Sequence, residues 1–75
     1  MLEGLGKEIE QKRAFLGYTQ KDLADLADLS DTTIRNIEKG KPGVSIGHWL
    51  TVADLLGLTI SIHPKQMIDE ARIGI

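Results

Sequence analysis

The stretch that decides the fold runs from residue 17 to residue 40: Gly17-Tyr18-Thr19-Gln20-Lys21-Asp22-Leu23-Ala24-Asp25-Leu26-Ala27-Asp28-Leu29-Ser30-Asp31-Thr32-Thr33-Ile34-Arg35-Asn36-Ile37-Glu38-Lys39-Gly40. It contains two helix starts and two helix stops. Thr19 offers an N-cap hydroxyl, and Asp22, three residues on, faces the exposed backbone amides and the helix dipole. The helix that follows is predicted over Gln20 to Ala27, with Leu23, Leu26 and Ala27 turned inward. Asp28-Leu29 makes a turn. Ser30 is a second N-cap and opens a helix from Asp31 to about Lys39, with Ile34 and Ile37 inward. Gly40 stops that helix, and Lys41-Pro42-Gly43 is a loop.

Upstream, Leu5, Ile9, Arg13 and Leu16 fall near one face of a helix predicted from Leu5 to Leu16. Phe15 flanks that stripe, and Lys7, Glu8, Gln11 and Lys12 lie towards solvent. Gly17 closes the helix in a C-cap-like position, and Gly4, Gly6 and Gly17 all read as helix boundaries. Downstream, Ser45 caps a fourth helix whose apolar face is Ile46, Trp49, Leu50, Ala53 and Leu56, up to Gly57. The period then changes. Leu58-Thr59-Ile60-Ser61-Ile62-His63 alternates apolar and polar with β-branched residues, which is a strand signal, and Pro64 ends it. A lone strand has no partner within the chain and is not stable alone. The simplest solution is pairing with the same strand of a second copy across a two-fold axis. Lys65 to Ile75 carries Met67, Ile68, Ala71, Arg72 and Ile75 at helical spacing, in a segment short enough to be mobile or ordered only by a partner. The predicted fold is therefore all-α, a small helical bundle, plus one short C-terminal β-strand pairing between subunits of a dimer. Residues 1–57 form the helical domain, 58–63 the dimerising strand, and 64–75 a flexible or partner-ordered tail.

Length and composition narrow the function. The chain has 75 residues, enough for one small domain with a marginal core. It has no cysteine and only two histidines, which argues against disulfides, thiolate metal sites and zinc. Oligomerisation is the remaining way to bury more surface. No apolar run approaches the length needed to span a membrane, and Met1-Leu2-Glu3-Gly4 lacks the features of a signal peptide, so a cytoplasmic location is expected. Nine basic residues against eleven acidic leave a net charge of −2, so nucleic-acid binding would have to come from a local patch. His48 and His63 stand near no nucleophile or carboxylate arrangement, and there is no glycine-rich phosphate loop. No catalytic residue, cofactor or metal is expected.

Two short helices joined by a tight turn, among four helices, suggest a helix-turn-helix whose second helix enters the DNA major groove. The same pattern also fits a helical bundle without DNA contacts. The residues favour the first. Thr19-Gln20-Lys21-Asp22-Leu23-Ala24, the Leu29-Ser30 turn, Ile34 at mid-helix and Glu38-Lys39-Gly40 at the end together resemble the Xre/Cro-type helix-turn-helix family. Leu55-Leu56-Gly57-Leu58 is similar to the family's closing helix and exit, so the resemblance covers about residues 5–58. An Xre-like domain followed directly by a strand such as Leu58-Thr59-Ile60-Ser61-Ile62 further resembles the HipB-type antitoxins. That resemblance implies a homodimer that represses its own operon on a palindromic double-stranded DNA operator, with a HipA-type serine/threonine kinase toxin as protein partner. The acidic second helix departs from the pattern, and the tail matches no family residues. A stand-alone repressor, or a protein-interaction module of the same fold, are the alternatives.

The resemblance also implies roles. Asp31, Thr32 and Asn36 match the family positions that face base edges. Asn pairs with adenine through two hydrogen bonds, and Thr offers a hydroxyl or a methyl to thymine. Asp31 either accepts from cytosine N4 or serves the helix dipole. The family's glutamine, here Gln20, touches a phosphate and braces the recognition helix. Arg13 and Glu38 match the pair that bridges the first and third helices. By position alone, Thr33 and Arg35 flank the reading face and reach phosphates, although Arg35 could instead reach guanine. Lys39 and Lys41 sit just past the helix, placed for phosphate contacts. Lys12 and Lys21 are weaker candidates. The ladder Asp22, Asp25, Asp28 reads first as a solvated face, and second as a surface for a basic partner.

Overall fold

A computed structural model describes residues 1–61. Four helices follow one another: α1 Leu2–Phe15, α2 Gln20–Ala27, α3 Asp31–Glu38 and α4 Ile46–Leu55. The bounds of α2 and α3 follow from their caps. Thr19 and Asp22 form a reciprocal capping box: the Thr19 hydroxyl accepts from the Asp22 amide at 3.0 Å, and the Asp22 carboxylate accepts from the Thr19 amide at 2.9 Å. Ser30 and Ser45 cap α3 and α4 through their hydroxyls, which accept from the Thr33 and His48 amides. Asp28, at φ 57°, supplies the left-handed step that turns α2 into α3.

The cap of α2 carries a pH signature. Hydrogen bonds from Thr19, backbone first and hydroxyl second, hold the Asp22 carboxyl below its ordinary value of 3.8. A carboxylate with a lowered folded pKa stabilises fully above its unfolded pKa and loses that contribution as pH falls through the folded value. Asp22→Ala is therefore expected to lower the melting temperature at neutral pH. The gap from the parent should close as pH falls below about 4. Thermal melts of both proteins across that range check this, and a gap of constant width would show that the charge contributes nothing.

The core is Ile9, Leu23, Ala24, Ile34, Ile37, Trp49, Val52, Ala53 and Leu56, all buried. It corrects several predicted positions. Leu16 and Leu26 are exposed, Leu26 at 54%, because the inward face of α2 passes through Leu23, Ala24 and Ala27 towards α3 and α4. In α4 the buried row is Trp49, Val52, Ala53 and Leu56, which leaves Ile46 and Leu50 exposed and brings in Val52. The first helix begins at Leu2, three residues earlier than predicted. Gly4 and Gly6 accordingly lie inside it and do not bound it. Gly6 is buried where α1 crosses α3, and a Cβ there would overlap the Ile37 and Glu38 carbonyls. Gly40, at φ +69°, turns the chain out of α3 directly against the backbone of Leu2 and Glu3, so only glycine fits.

After Gly57, Leu58 donates its amide to the Ala53 carbonyl at 2.8 Å and the chain turns back over the core. Leu58 and Ile60 are half-buried against that core, while Thr59 and Ser61 are exposed. The alternation has the predicted period of two, but among the described residues there is no strand, because a ladder needs a second strand. Ile62 and His63 of the predicted strand, and the whole tail at 64–75, lie outside the described residues. No helix among the described residues is long and apolar enough to cross a membrane.

Candidate nucleic-acid interface

The buried residues of α3 are Ile34, Ile37 and Glu38. At about 100° per residue, Thr32 lies almost opposite them, with Arg35 about 60° to one side and Asn36 about 40° to the other. Thr32, Arg35 and Asn36 thus share the outward face. Thr32 and Arg35 are exposed and Asn36 is half-buried. Asp31 is exposed in the first turn of the helix, where its charge meets the dipole favourably. Thr33 is half-buried at the edge, and its hydroxyl is 2.9 Å from the Ser30 hydroxyl, so it belongs to the cap. Arg35 Nη2 donates to Thr32 Oγ1 at 3.3 Å.

The opposite side of α3 is anchored through a charge. Glu38 is buried at 8% exposure. Its Oε2 accepts from Arg13 Nε at 2.6 Å and its Oε1 from Arg13 Nη2 at 3.1 Å, a two-point fork between α1 and α3. Arg13 Nη1 donates to the Tyr18 carbonyl at 2.8 Å, which ties in the α1–α2 turn. Gln20 Nε2 donates to Glu38 Oε1 at 3.0 Å, so α2 joins the same carboxylate. The Glu38 hydrogen bond, more than any other influence, holds the Arg13 guanidinium above its ordinary range, and partial burial opposes it. Arg13 is charged at every working pH. A single carboxylate thus ties α3 to α1 and α2 and, through Arg13, to the turn between them.

This network also sets the local charge. With Glu38 neutralised by Arg13, residues 30–41 present Asp31 against Arg35, Lys39 and Lys41, all exposed. The net sign there is positive although the chain is acidic. The remaining ion pair among the described residues, Lys21–Asp25 at 3.7 Å, lies on the solvent side of α2. Sequence reasoning missed Gly6, Gly40 and the Tyr18 carbonyl as parts of this mount. A glycine amid the apolar positions of a helix was a signal for Gly6, whereas a backbone carbonyl leaves none.

A compact α2–turn–α3 unit, with a polar outward face on α3, two exposed lysines just beyond its end and a buried mount behind it, has the form of a DNA-reading element. Comparison with the curated proteins finds no match. Comparison with family models finds one whose description is helix-turn-helix, matching residues 9–62, most of the chain. The chain therefore belongs to the Xre-type helix-turn-helix family, a family of DNA-binding transcription regulators.

Proposed function

We propose that this protein is a sequence-specific transcriptional repressor that binds a palindromic operator as a homodimer. We further propose that it is the autoregulating antitoxin of a HipA-type kinase toxin. One observation carries the DNA reading: the outward row of Thr32, Arg35 and Asn36 on a helix whose back is fastened to α1 and α2 through Glu38. In this reading Asp31, Thr32 and Asn36 meet base edges. Gln20, Lys39 and Lys41 meet phosphates, and Thr33 meets one only through a hydroxyl it shares with the Ser30 cap. Gln20 uses one amide N–H on Glu38 and keeps the other for a phosphate.

The dimer is supported by the alternation at Leu58–Ser61, whose inward residues fasten an otherwise unpaired segment to the core. Pairing of residues 58–63 between copies would satisfy its backbone groups and set two recognition helices at operator half-site spacing. The antitoxin assignment rests on the strand-like alternation that the sequence predicts at residues 58–63, directly after the helical domain.

Selection from a random duplex library with the purified chain, then a salt titration on the winner, tests the proposal. A palindromic motif and a steep loss of affinity with salt are expected. No enrichment at low salt would sink the repressor reading. It would favour the exposed Asp22 and Asp25 on α2, with Asp28 just past its end, as a protein-binding surface. On the selected operator, Asn36→Ala is expected to cost about 1–3 kcal/mol and to relax preference at one base pair per half-site. Unchanged binding and unchanged preference would remove Asn36 from the reading face.

A further inference from the structure

The reading face contains one arginine, and its orientation is informative. Asp31 lies four residues before Arg35, the spacing and order at which an acid and a base pair best along a helix. Yet the ion pairs among the described residues are Arg13–Glu38 and Lys21–Asp25, and Arg35 does not join Asp31. Its guanidinium turns to Thr32 and donates one N–H to that hydroxyl. Thr32 lies nearly opposite the buried residues of α3, so the contact draws the head of Arg35 from the flank towards the middle of the outward face. Phosphates flank a helix docked in the major groove, and base edges lie under its middle.

We infer that Arg35 is a base-reading residue that takes a guanine through its guanidinium fork, with Thr32 as the residue that positions it. The inference rests on the DNA-binding reading above and deepens it. One N–H of Arg35 is engaged by Thr32, and among the described residues the others have no acceptor. Two of them match the O6 and N7 acceptors of guanine, the commonest specific contact in the major groove. Asn36, on the other side of Thr32, would then take an adjacent base. Each half-site would carry neighbouring G·C and A·T pairs, read by residues one apart in the helix.

The test uses the full chain and the duplex enriched from the random library, together with every single-base variant of that duplex. Arg35→Ala is expected to abolish preference at one G·C pair per half-site, a change of roughly 5–150-fold in discrimination there, and to leave the other positions' preferences intact. Arg35→Lys keeps the charge and loses the fork, so the same preference should fall while the salt slope stays. Thr32→Val should weaken that same preference, and the Thr32→Val/Arg35→Ala double variant should match Arg35→Ala at that pair. Both side chains are exposed, so unchanged melting temperatures serve as the folding control. Uniform weakening across all variants of the duplex, with a shallower salt slope, would overturn the inference and return Arg35 to a phosphate. So would a Thr32→Val effect confined to a different base pair. If the parent chain enriches no duplex, the inference falls together with the DNA reading, and the parent's own result separates that case from the others.

Discussion

Arg13→Met is expected to destabilise the fold by about 3–5 kcal/mol, the usual cost of removing one partner of a buried ion pair. The figure follows from what is left behind. Glu38 has a side-chain exposure of 4%, and without Arg13 it retains only the Gln20 amide as a side-chain donor. Water cannot reach the carboxylate easily, so its lost solvation is not restored. A domain of this size is stable by only about 0.05–0.15 kcal/mol per residue, so the variant should stand at the edge of unfolding. Urea titration would show a lower midpoint at similar slope. The comparison that isolates the cause is Arg13→Met/Glu38→Leu. Removing both charges leaves no orphan, so the double variant should be more stable than either single one. The exposed Lys21–Asp25 pair gives the opposite limit. Its side chains are 73% and 67% exposed, and Lys21→Ala should change stability by no more than about 0.5 kcal/mol. A cost below 1 kcal/mol for Arg13→Met would mean that the network is ornamental and that α3 is held by its apolar contacts alone.

The contrast between those two pairs also shows which parts of the molecule were legible in the sequence. Capping chemistry is local, so Thr19, Asp22 and Ser30 fixed the starts of α2 and α3 to the residue. The phase of α3 is nearly local too. Ile34 and Ile37 are its apolar residues, and they decide that Thr32 and Asn36 face outward. Phase was harder to read where a helix is apolar on more than one side. In α4, Ile46, Leu50, Val52 and Leu55 compete, and only the positions of neighbouring helices select Val52 for burial. In α2, the small Ala24 takes the contact that Leu26 was expected to make. Two kinds of feature lay beyond local reading altogether. The rotamer of Arg35 depends on a choice between two neighbours of comparable reach, Asp31 and Thr32. The strand predicted at 58–63 would need a second strand to pair with, and among the described residues there is none.

Gly6→Ala is expected to destabilise the protein by about 1–3 kcal/mol, although alanine is the better helix former. The two effects oppose each other, and the local geometry decides between them. Gly6 lies inside α1, where replacing glycine by alanine is ordinarily worth about 1 kcal/mol in favour of the helix. At this position a Cβ would stand 2.6 Å from the Glu38 carbonyl oxygen and nearer still to that of Ile37. Those are backbone atoms of the last turn of α3, so no side-chain rotation relieves the overlap, and α1 must lift off α3. Gly4 is the internal control. It lies in the same helix with nothing near its would-be Cβ, so Gly4→Ala should raise stability by about 1 kcal/mol. For a domain of this length each kcal/mol moves the melting temperature by about 4–8 °C, so the two alanine variants should lie on opposite sides of the parent. The displacement also bears on DNA. The atoms in the way belong to the end of α3 that carries Glu38, so lifting α1 strains the Arg13 fork and tilts the reading face. Gly6→Ala should therefore bind the selected operator more weakly even at temperatures where it is fully folded, while Gly4→Ala binds like the parent. Equal melting temperatures for the two variants would show that α1 and α3 are loosely packed, and the rigid mount behind the recognition helix would have to be abandoned.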